Sequence, residues 1–99
     1  MASSQEAFAR FGIWKKSRTF LKLVTVTKGG MPEMLRGQIL AIDEEAGLIS
    51  FLVRKDCVPR IDLVGASFRI GKRSLEAERG GDLLTLEEIA LMKPEESAA

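Results

Sequence analysis

Residues 23–50 read LVTVTKGGMPEMLRGQILAIDEEAGLIS and hold three apolar segments separated by two turn signals. The segments are rich in β-branched residues, which favour strands, and the turns carry glycine, proline and acidic residues. This pattern predicts an antiparallel meander of three strands. The predicted elements are a first strand over 19–27, a second strand over 35–42, a turn over 43–47 and a third strand over 48–53.

The chain on either side of the meander carries signals for a helix and for more strands. Ser3 and Glu6 have the spacing of a capping box, which predicts a short helix over 4–13. The segment RIDLVGASFRI at 60–70 predicts one or two short strands interrupted near Gly65.

The pair Gly80-Gly81 has the composition of a two-residue hairpin turn. A competing prediction is a helical turn over 85–93, because residues 85–88, TLEE, also form a capping-box pattern. If the hairpin forms, the expected cross-strand pairs are Arg79 with Asp82, Ala77 with Leu84 and Leu75 with Leu86.

A chain of 99 residues is too short to build two independent cores, so we expect one domain. The predicted fold is mainly β: a small, five- to seven-stranded antiparallel barrel with a short N-terminal helix and a C-terminal hairpin or helical turn. This domain is expected to cover residues 1–93 and to leave a disordered tail at 94–99.

Both faces of the predicted strands are apolar. Phe20, Val24 and Val26 alternate with Leu21 and Leu23, so large apolar side chains point to both sides. An antiparallel sheet with one solvated face normally alternates apolar with polar residues. We therefore expect the helix to cover one face, and a homo-oligomer contact or a protein partner to cover the other.

The composition is that of a soluble globular protein, with 45% apolar and 29% charged residues. The longest apolar run, at 48–53, is too short to span a bilayer, and the N-terminus lacks a signal-peptide pattern. With Cys57 as the single cysteine, no internal disulfide forms. These features predict a cytoplasmic protein with no membrane association.

The charges are unevenly distributed although the net charge is only +1. Residues 1–30 carry six basic residues against one acidic residue, whereas residues 74–99 carry two basic against seven acidic. A basic half attracts phosphates, and an acidic end competes with phosphates for the basic half. The alternative is that the two halves neutralise each other and keep the chain soluble.

Residue types that carry catalysis are scarce. The sequence has no histidine and no tyrosine, which removes the commonest general base and the commonest zinc ligand. Cys57 has no imidazole to activate it, and Gly29-Gly30 is not followed by the residues of a phosphate-binding loop. We expect no enzymatic activity, no metal and no cofactor.

The basic N-terminal region is the candidate nucleic-acid or phosphate site. Phe11 and the tryptophan of this region lie beside the cations and could stack on bases. The alternative is a helix docked on the sheet with aromatic residues inward and lysines outward. The candidate site residues are Arg10, Trp14, Lys15, Lys16, Arg18 and Lys22.

Two short motifs resemble those of Sm-like proteins, which are small barrels that assemble into rings and bind RNA. Leu35, Gly37, Ile39, Ile42, Asp43 and Leu48 fit the first motif, and Leu63, Gly65, Phe68 and Ile70 fit the second. The resemblance implies an Sm/SH3-like barrel and a nucleic-acid partner. The family binds RNA through an asparagine and an arginine, at whose positions this sequence has Gly47 and Val64.

A second resemblance is to PilZ domains, which bind cyclic dinucleotides through R-x-x-x-R and D-x-S-x-x-G. Arg18 and Lys22 have the spacing of the first motif, and the segment GQILAIDEEAG is similar to the region of the second. Lysine replaces the second arginine, and Glu45 stands where the serine belongs. This resemblance implies, as an alternative, a regulatory domain that responds to a cyclic dinucleotide.

Overall fold

The computed structural model describes residues 2–89, which form one α-helix and seven β-strands. The elements are α1 (Ser4–Ser17), β1 (Leu21–Val26), β2 (Glu33–Asp43), β3 (Leu48–Leu52), β4 (Arg60–Asp62), β5 (Ser67–Ile70), β6 (Ser74–Arg79) and β7 (Asp82–Glu88). The strands form one antiparallel sheet in the order β4-β3-β2-β1-β7-β6-β5. The mainly β class with an N-terminal helix is confirmed.

Helix α1 begins at the predicted capping box. The Ser3 N–H donates to Oε1 of Glu6 at 2.9 Å, and the Glu6 N–H donates to Oγ of Ser3 at 3.1 Å. Hydrogen bonding by the backbone of Ser3, and secondarily by its hydroxyl, lowers the pKa of the Glu6 carboxyl.

The helix ends at Ser17 rather than at residue 13, so its predicted length was wrong. Gly12 does not interrupt it, because the apolar stripe that begins at Ala7 continues to Trp14, which is buried. Burial of that indole outweighs the unfavourable helix propensity of a glycine, which is about 1 kcal/mol. Arg18 then ends the helix in a left-handed conformation, with φ at 54°.

Strand β2 joins the two halves of the sheet. Residues 33–37 pair with β1 and residues 38–43 pair with β3, with a bulge at Leu40. Gly37 marks the change of partner, and a Cβ on it would overlap the carbonyl oxygen of Leu52. Only glycine allows the backbone of β3 to pass this close, so the sheet curls at this point.

The sheet does not close into the barrel that we expected. Strands β4 and β5 lie at the two ends of the strand order and are not paired with each other. They contain three and four residues, and a closed barrel needs its first and last strands to pair with a fixed stagger. The free edge of β5 is partly paired, because the N–H of Ala2 donates to the carbonyl of Phe68 at 3.1 Å.

The predicted hairpin at Gly80-Gly81 is confirmed, with all three predicted cross-strand pairs in register. The competing helical turn is wrong for residues 85–88, which continue β7. The physical reason is that β7 pairs with β1 along its length, which satisfies backbone groups that a helical turn would leave unpaired. The rest of that predicted turn, at 90–93, and the predicted tail at 94–99 lie outside the described residues.

Helix α1 covers one face of the sheet, which we call the inner face. Its Phe8, Phe11 and Trp14 side chains join Leu21, Phe51 and other inner-face residues in one core. The opposite, outer face carries Val24 and Val26, which are half-buried, as the alternation in β1 predicted. No described element covers this outer face.

The first prediction concerns the two glycines that differ most in their surroundings. Gly37→Ala is expected to lower the free energy of unfolding by about 1–3 kcal/mol, the usual cost of overpacking. Gly12→Ala is the matched control and should raise it by roughly 0.5–1 kcal/mol, because nothing lies within 4 Å of the added methyl group. Urea unfolding followed by circular dichroism measures both. Equal stabilities of Gly37→Ala and wild type would contradict the close approach of β3.

The second prediction concerns the capping box. Ser3→Ala is expected to cost about 1 kcal/mol of unfolding free energy, because the Glu6 N–H loses its acceptor. The pKa of Glu6 is lower in the folded chain. The contribution of its carboxylate to folding stability is therefore present at neutral pH and is lost as the pH falls through that pKa. The difference in stability between Ser3→Ala and wild type, measured by thermal unfolding, should therefore become smaller at acid pH. Ser4→Ala, at the next and exposed position, is the control and should change little.

Candidate anion-binding groove

The aromatic side chains of α1 face the core. Phe11 and Trp14 are 0% and 1% exposed, and the Trp14 Nε1–H donates to Oε2 of Glu88 at 2.8 Å. Enclosed rings present no face to a nucleic-acid base, so the expected stacking on Phe11 and Trp14 has no structural basis here. The structure shows the alternative arrangement, in which Lys15 and Lys16 point to solvent.

The other basic residues of the predicted site are separated from one another. Lys22 lies on the outer face of β1, where its Nζ is 3.4 Å from Oε1 of Glu87. Arg18 caps the end of α1, and its carbonyl accepts a hydrogen bond from Nε2 of Gln38 at 2.8 Å. Only Arg10 of the predicted set lines a sizeable groove.

That groove, of about 560 Å³, runs between α1 and the edge strand β5. Its lining residues are Ala2, Glu6, Ala9, Arg10, Ile13, Arg69 and Ile70. We call it the α1–β5 groove.

Arg10 is the distinctive side chain of this groove. Its guanidinium carbon lies 5.5 Å from the ring centre of Trp14, a cation–π distance. The Nη1 atom is enclosed and has no hydrogen-bond acceptor among the residues that the structure describes. An enclosed donor without an acceptor costs about 1–3 kcal/mol.

A second cation also lines the groove. The side chain of Arg69 on β5 is largely exposed and lies 3.8 Å from Oε1 of Glu76. Ile13 and Ile70 supply apolar surface between the two arginines. The carboxylate of the groove, Glu6, is held by the Ser3 capping box and stays ionised, since its pKa is lowered.

The turn between β5 and β6 brings further cations beside the helix. The carbonyl of Arg73 accepts the Glu88 N–H at 2.9 Å, and the Glu88 carboxylate binds Trp14. Lys72 and Arg73 are exposed and are separated from Ile70 of the groove by Gly71 alone. Sequence reasoning missed these residues and Arg69, because they are about fifty positions from the basic N-terminal region and only strand pairing brings them near it.

The two positions that the Sm-like resemblance singled out are in contact. A Cβ on Gly47 would lie 2.8 Å from Cγ2 of Val64, and the Leu63 N–H donates to the Gly47 carbonyl at 2.8 Å. Neither position carries a polar side chain, so this contact offers no group that could recognise a base.

The residues of the PilZ-like pattern do not share a pocket in the described structure. Oδ1 of Asp43 accepts the Ala46 N–H at 3.1 Å and so stabilises the turn itself. A shallow depression of about 230 Å³ beside Asp43 is lined by residues of β2, β3 and β4, and neither Arg18 nor Lys22 is among them.

Two other features bear on chemistry. Cys57 is partly buried in the connection between β3 and β4, where its N–H donates to the Arg54 carbonyl at 2.9 Å. Among residues 2–89, no three His, Cys, Asp or Glu side chains come together in a way that could hold a metal ion.

The third prediction concerns the Trp14–Glu88 bond, which ties the helix to the end of β7. Trp14→Phe is expected to lower the free energy of unfolding by about 1.5–3 kcal/mol through loss of a hydrogen bond to a charged group. In a Glu88→Ala background the same substitution should cost less, because the bond is already absent. Urea unfolding of the four proteins measures the difference, and equal costs in both backgrounds would show that only the indole volume matters.

No protein-family model matches this chain, and neither does a characterised protein or a solved structure. Within the described residues, no helix is long and apolar enough to cross a membrane.

Proposed function

We propose that this chain is a non-catalytic binding module whose α1–β5 groove binds the phosphates of a single-stranded nucleic acid. The observation that carries the proposal is the groove that Arg10 and Arg69 line together, in which Nη1 of Arg10 has no acceptor among residues 2–89. A phosphate oxygen supplies a charge-assisted hydrogen bond to a guanidinium, which is stronger than a bond between neutral groups.

The charge of the surroundings supports an anionic ligand. Arg10 and Arg69 both line the groove, and the exposed Lys72 and Arg73 lie in the turn after Ile70. The single carboxylate of the groove is already bound to the helix cap. A chain of phosphates can therefore contact several cations along one path.

The shape of the groove favours a flexible strand over a duplex. A volume of about 560 Å³ is comparable to that of ligand sites in general. Ile13 and Ile70 offer apolar contacts for sugars. Because no aromatic ring lines the groove, base stacking contributes little, and we expect binding with weak sequence preference and strong salt dependence.

The non-catalytic part of the proposal is supported by the residue types. A chain without histidine or tyrosine lacks the groups that most often transfer protons near neutral pH. An Sm-like barrel relationship remains a proposal too, and the cations of this groove are not residues of the Sm-like motifs.

The fourth prediction tests the groove by fluorescence anisotropy with a labelled single-stranded RNA. One phosphate contact each from Arg10, Arg69, Lys72 and Arg73 gives a slope of log affinity against log salt of about −2.8. This slope corresponds to roughly a 50-fold loss of affinity between 50 and 200 mM salt. Arg10→Gln and Arg69→Gln should each weaken binding and reduce this slope by about 0.7. Lys28→Gln is the control, because Lys28 is exposed in the loop after β1, at the end of that strand that is away from α1.

Two results would overturn the proposal. The first is an absence of salt-sensitive binding at 100 µM protein, a concentration that is roughly the weak limit of non-specific binding. The second is an equal effect of Arg69→Gln and Lys28→Gln, since the side chain of Arg69 is exposed and its loss does not threaten the fold. Calorimetric heat with a cyclic dinucleotide but not with RNA would replace the nucleic-acid proposal by the PilZ-like alternative.

A further inference from the structure

A second cavity, of about 150 Å³, lies at the end of the sheet that carries the Gly80-Gly81 hairpin. Residues of β1, β6 and β7 line it, and so do residues of β4, which stands at one end of the strand order. We call it the β4–β7 cavity. It shares no lining residue with the α1–β5 groove, so it is independent of the proposed nucleic-acid site.

The inside of this cavity is largely apolar. Ala77 on β6 is directly opposite Leu84 on β7, which is directly opposite Thr25 on β1, so the three side chains form one row on the inner face. Ile61 and Leu63, from β4 and the residue after it, add apolar surface. Leu63, Ala77 and Leu84 are buried. The cavity can therefore receive an apolar group.

The mouth of the cavity is charged, and two of its charges are paired with each other. The Arg79 Nε–H donates to the Val64 carbonyl at 2.7 Å, and Nη2 of Arg79 lies 3.4 Å from Oδ2 of Asp62. Arg79 and Asp62 both line the cavity, and their side chains are half-exposed. These contacts join β6 to the β4 end of the sheet, although β4 and β6 are not neighbouring strands.

Asp82 is the remaining charged residue of the lining. Its Oδ1 accepts the Lys28 N–H at 3.1 Å. Among residues 2–89, no lysine or arginine nitrogen lies within 4 Å of its carboxylate oxygens, that of Lys28 included. Because Arg79 and Asp62 neutralise each other, Asp82 leaves the lining with a net charge of −1. This charge favours a cation at the mouth.

We propose that the β4–β7 cavity binds a small organic ammonium ion, with its apolar part against Leu63, Ala77 and Leu84 and its charge at Asp82. A cavity of this volume lined by aliphatic side chains accommodates a ring of the size of benzene, or about six carbon atoms. The volume therefore suits a primary amine that carries one such ring. The Asp82 carboxylate accepts a charge-assisted hydrogen bond from the ammonium group.

Two other occupants fit these contacts less well. An anion would have to bind Arg79, whose Nε–H is bonded to Val64 and whose Nη2 faces Asp62. A lysine side chain of a partner protein presents the same ammonium group as a free amine. Its unbranched chain fills the cavity less completely than a ring does, and unfilled volume forfeits dispersion contacts.

NMR chemical shifts of ¹⁵N-labelled protein, titrated with benzylammonium chloride at constant ionic strength, test the proposal. Saturable shifts are expected at Thr25, Ala77 and Leu84, with a dissociation constant in the millimolar range. Benzyl alcohol has nearly the same size and no charge, and it should bind roughly two- to fivefold more weakly, the usual contribution of an exposed ion pair. Benzoate should bind more weakly still.

Asp82→Asn should weaken the binding of benzylammonium by about the same two- to fivefold factor. The variant keeps an oxygen that accepts the Lys28 N–H, so the hairpin is expected to fold. Asp56→Asn is the matched control, because Asp56 is an exposed carboxylate that pairs with Arg54 and does not line the cavity. This control should bind benzylammonium as wild type does.

Three results would overturn the proposal: no saturable shift at the lining residues up to 20 mM benzylammonium, benzoate binding as tight as that of benzylammonium, or equal affinities of Asp82→Asn and wild type. Tighter binding of Nα-acetyl-lysine amide than of benzylammonium would overturn it in favour of a lysine of a partner protein. RNA does not enter these measurements, so their outcome is separate from that of the groove.

Discussion

The close approach of β3 to Gly37 is the constraint on which the rest of the structure depends. A side chain at this position would overlap the carbonyl oxygen of Leu52, so only glycine lets β2 leave β1 and take β3 as its next partner. The change of partner and the bulge at Leu40 curl the sheet. Helix α1 packs on the inner face of this sheet.

The helix then completes the core and divides the polar groups of the chain. Its aromatic side chains fill the inner face, and the Trp14 indole finds an acceptor in Glu88 at the end of β7. The same packing encloses one nitrogen of Arg10 without an acceptor among the described residues. Arg10 also lines one groove with Arg69, which is why the groove rather than the exposed lysines supports a binding role.

The two faces of the sheet differ in what packs on them. The inner face is used by the helix, and the groove at its margin with β5 presents cations. The outer face carries half-buried Val24 and Val26 and the ion pairs Lys22–Glu87 and Arg69–Glu76. Arg69 therefore belongs both to the lining of the groove and to an ion pair with β6.

The sequence by itself determined the features that arise from neighbouring residues. These are the capping box at Ser3, the meander from residue 19 to 53 and the hairpin at Gly80-Gly81 with its register, since turn geometry and side-chain alternation are local properties. Where two local signals competed, as at residues 85–88, the sequence left the choice open. Pairing with β1 decided for the strand.

Only the tertiary structure decided which residues meet. It extended α1 past Gly12 because burial of Trp14 outweighs a weak local propensity, and it removed the aromatic rings from the expected binding site. It left the strands as an open sheet, since β4 and β5 are short and do not pair. It also brought Arg69, Lys72 and Arg73 beside the helix. That proximity comes from hydrogen-bond ladders between strands far apart in the chain, and no spacing pattern along one sequence records it.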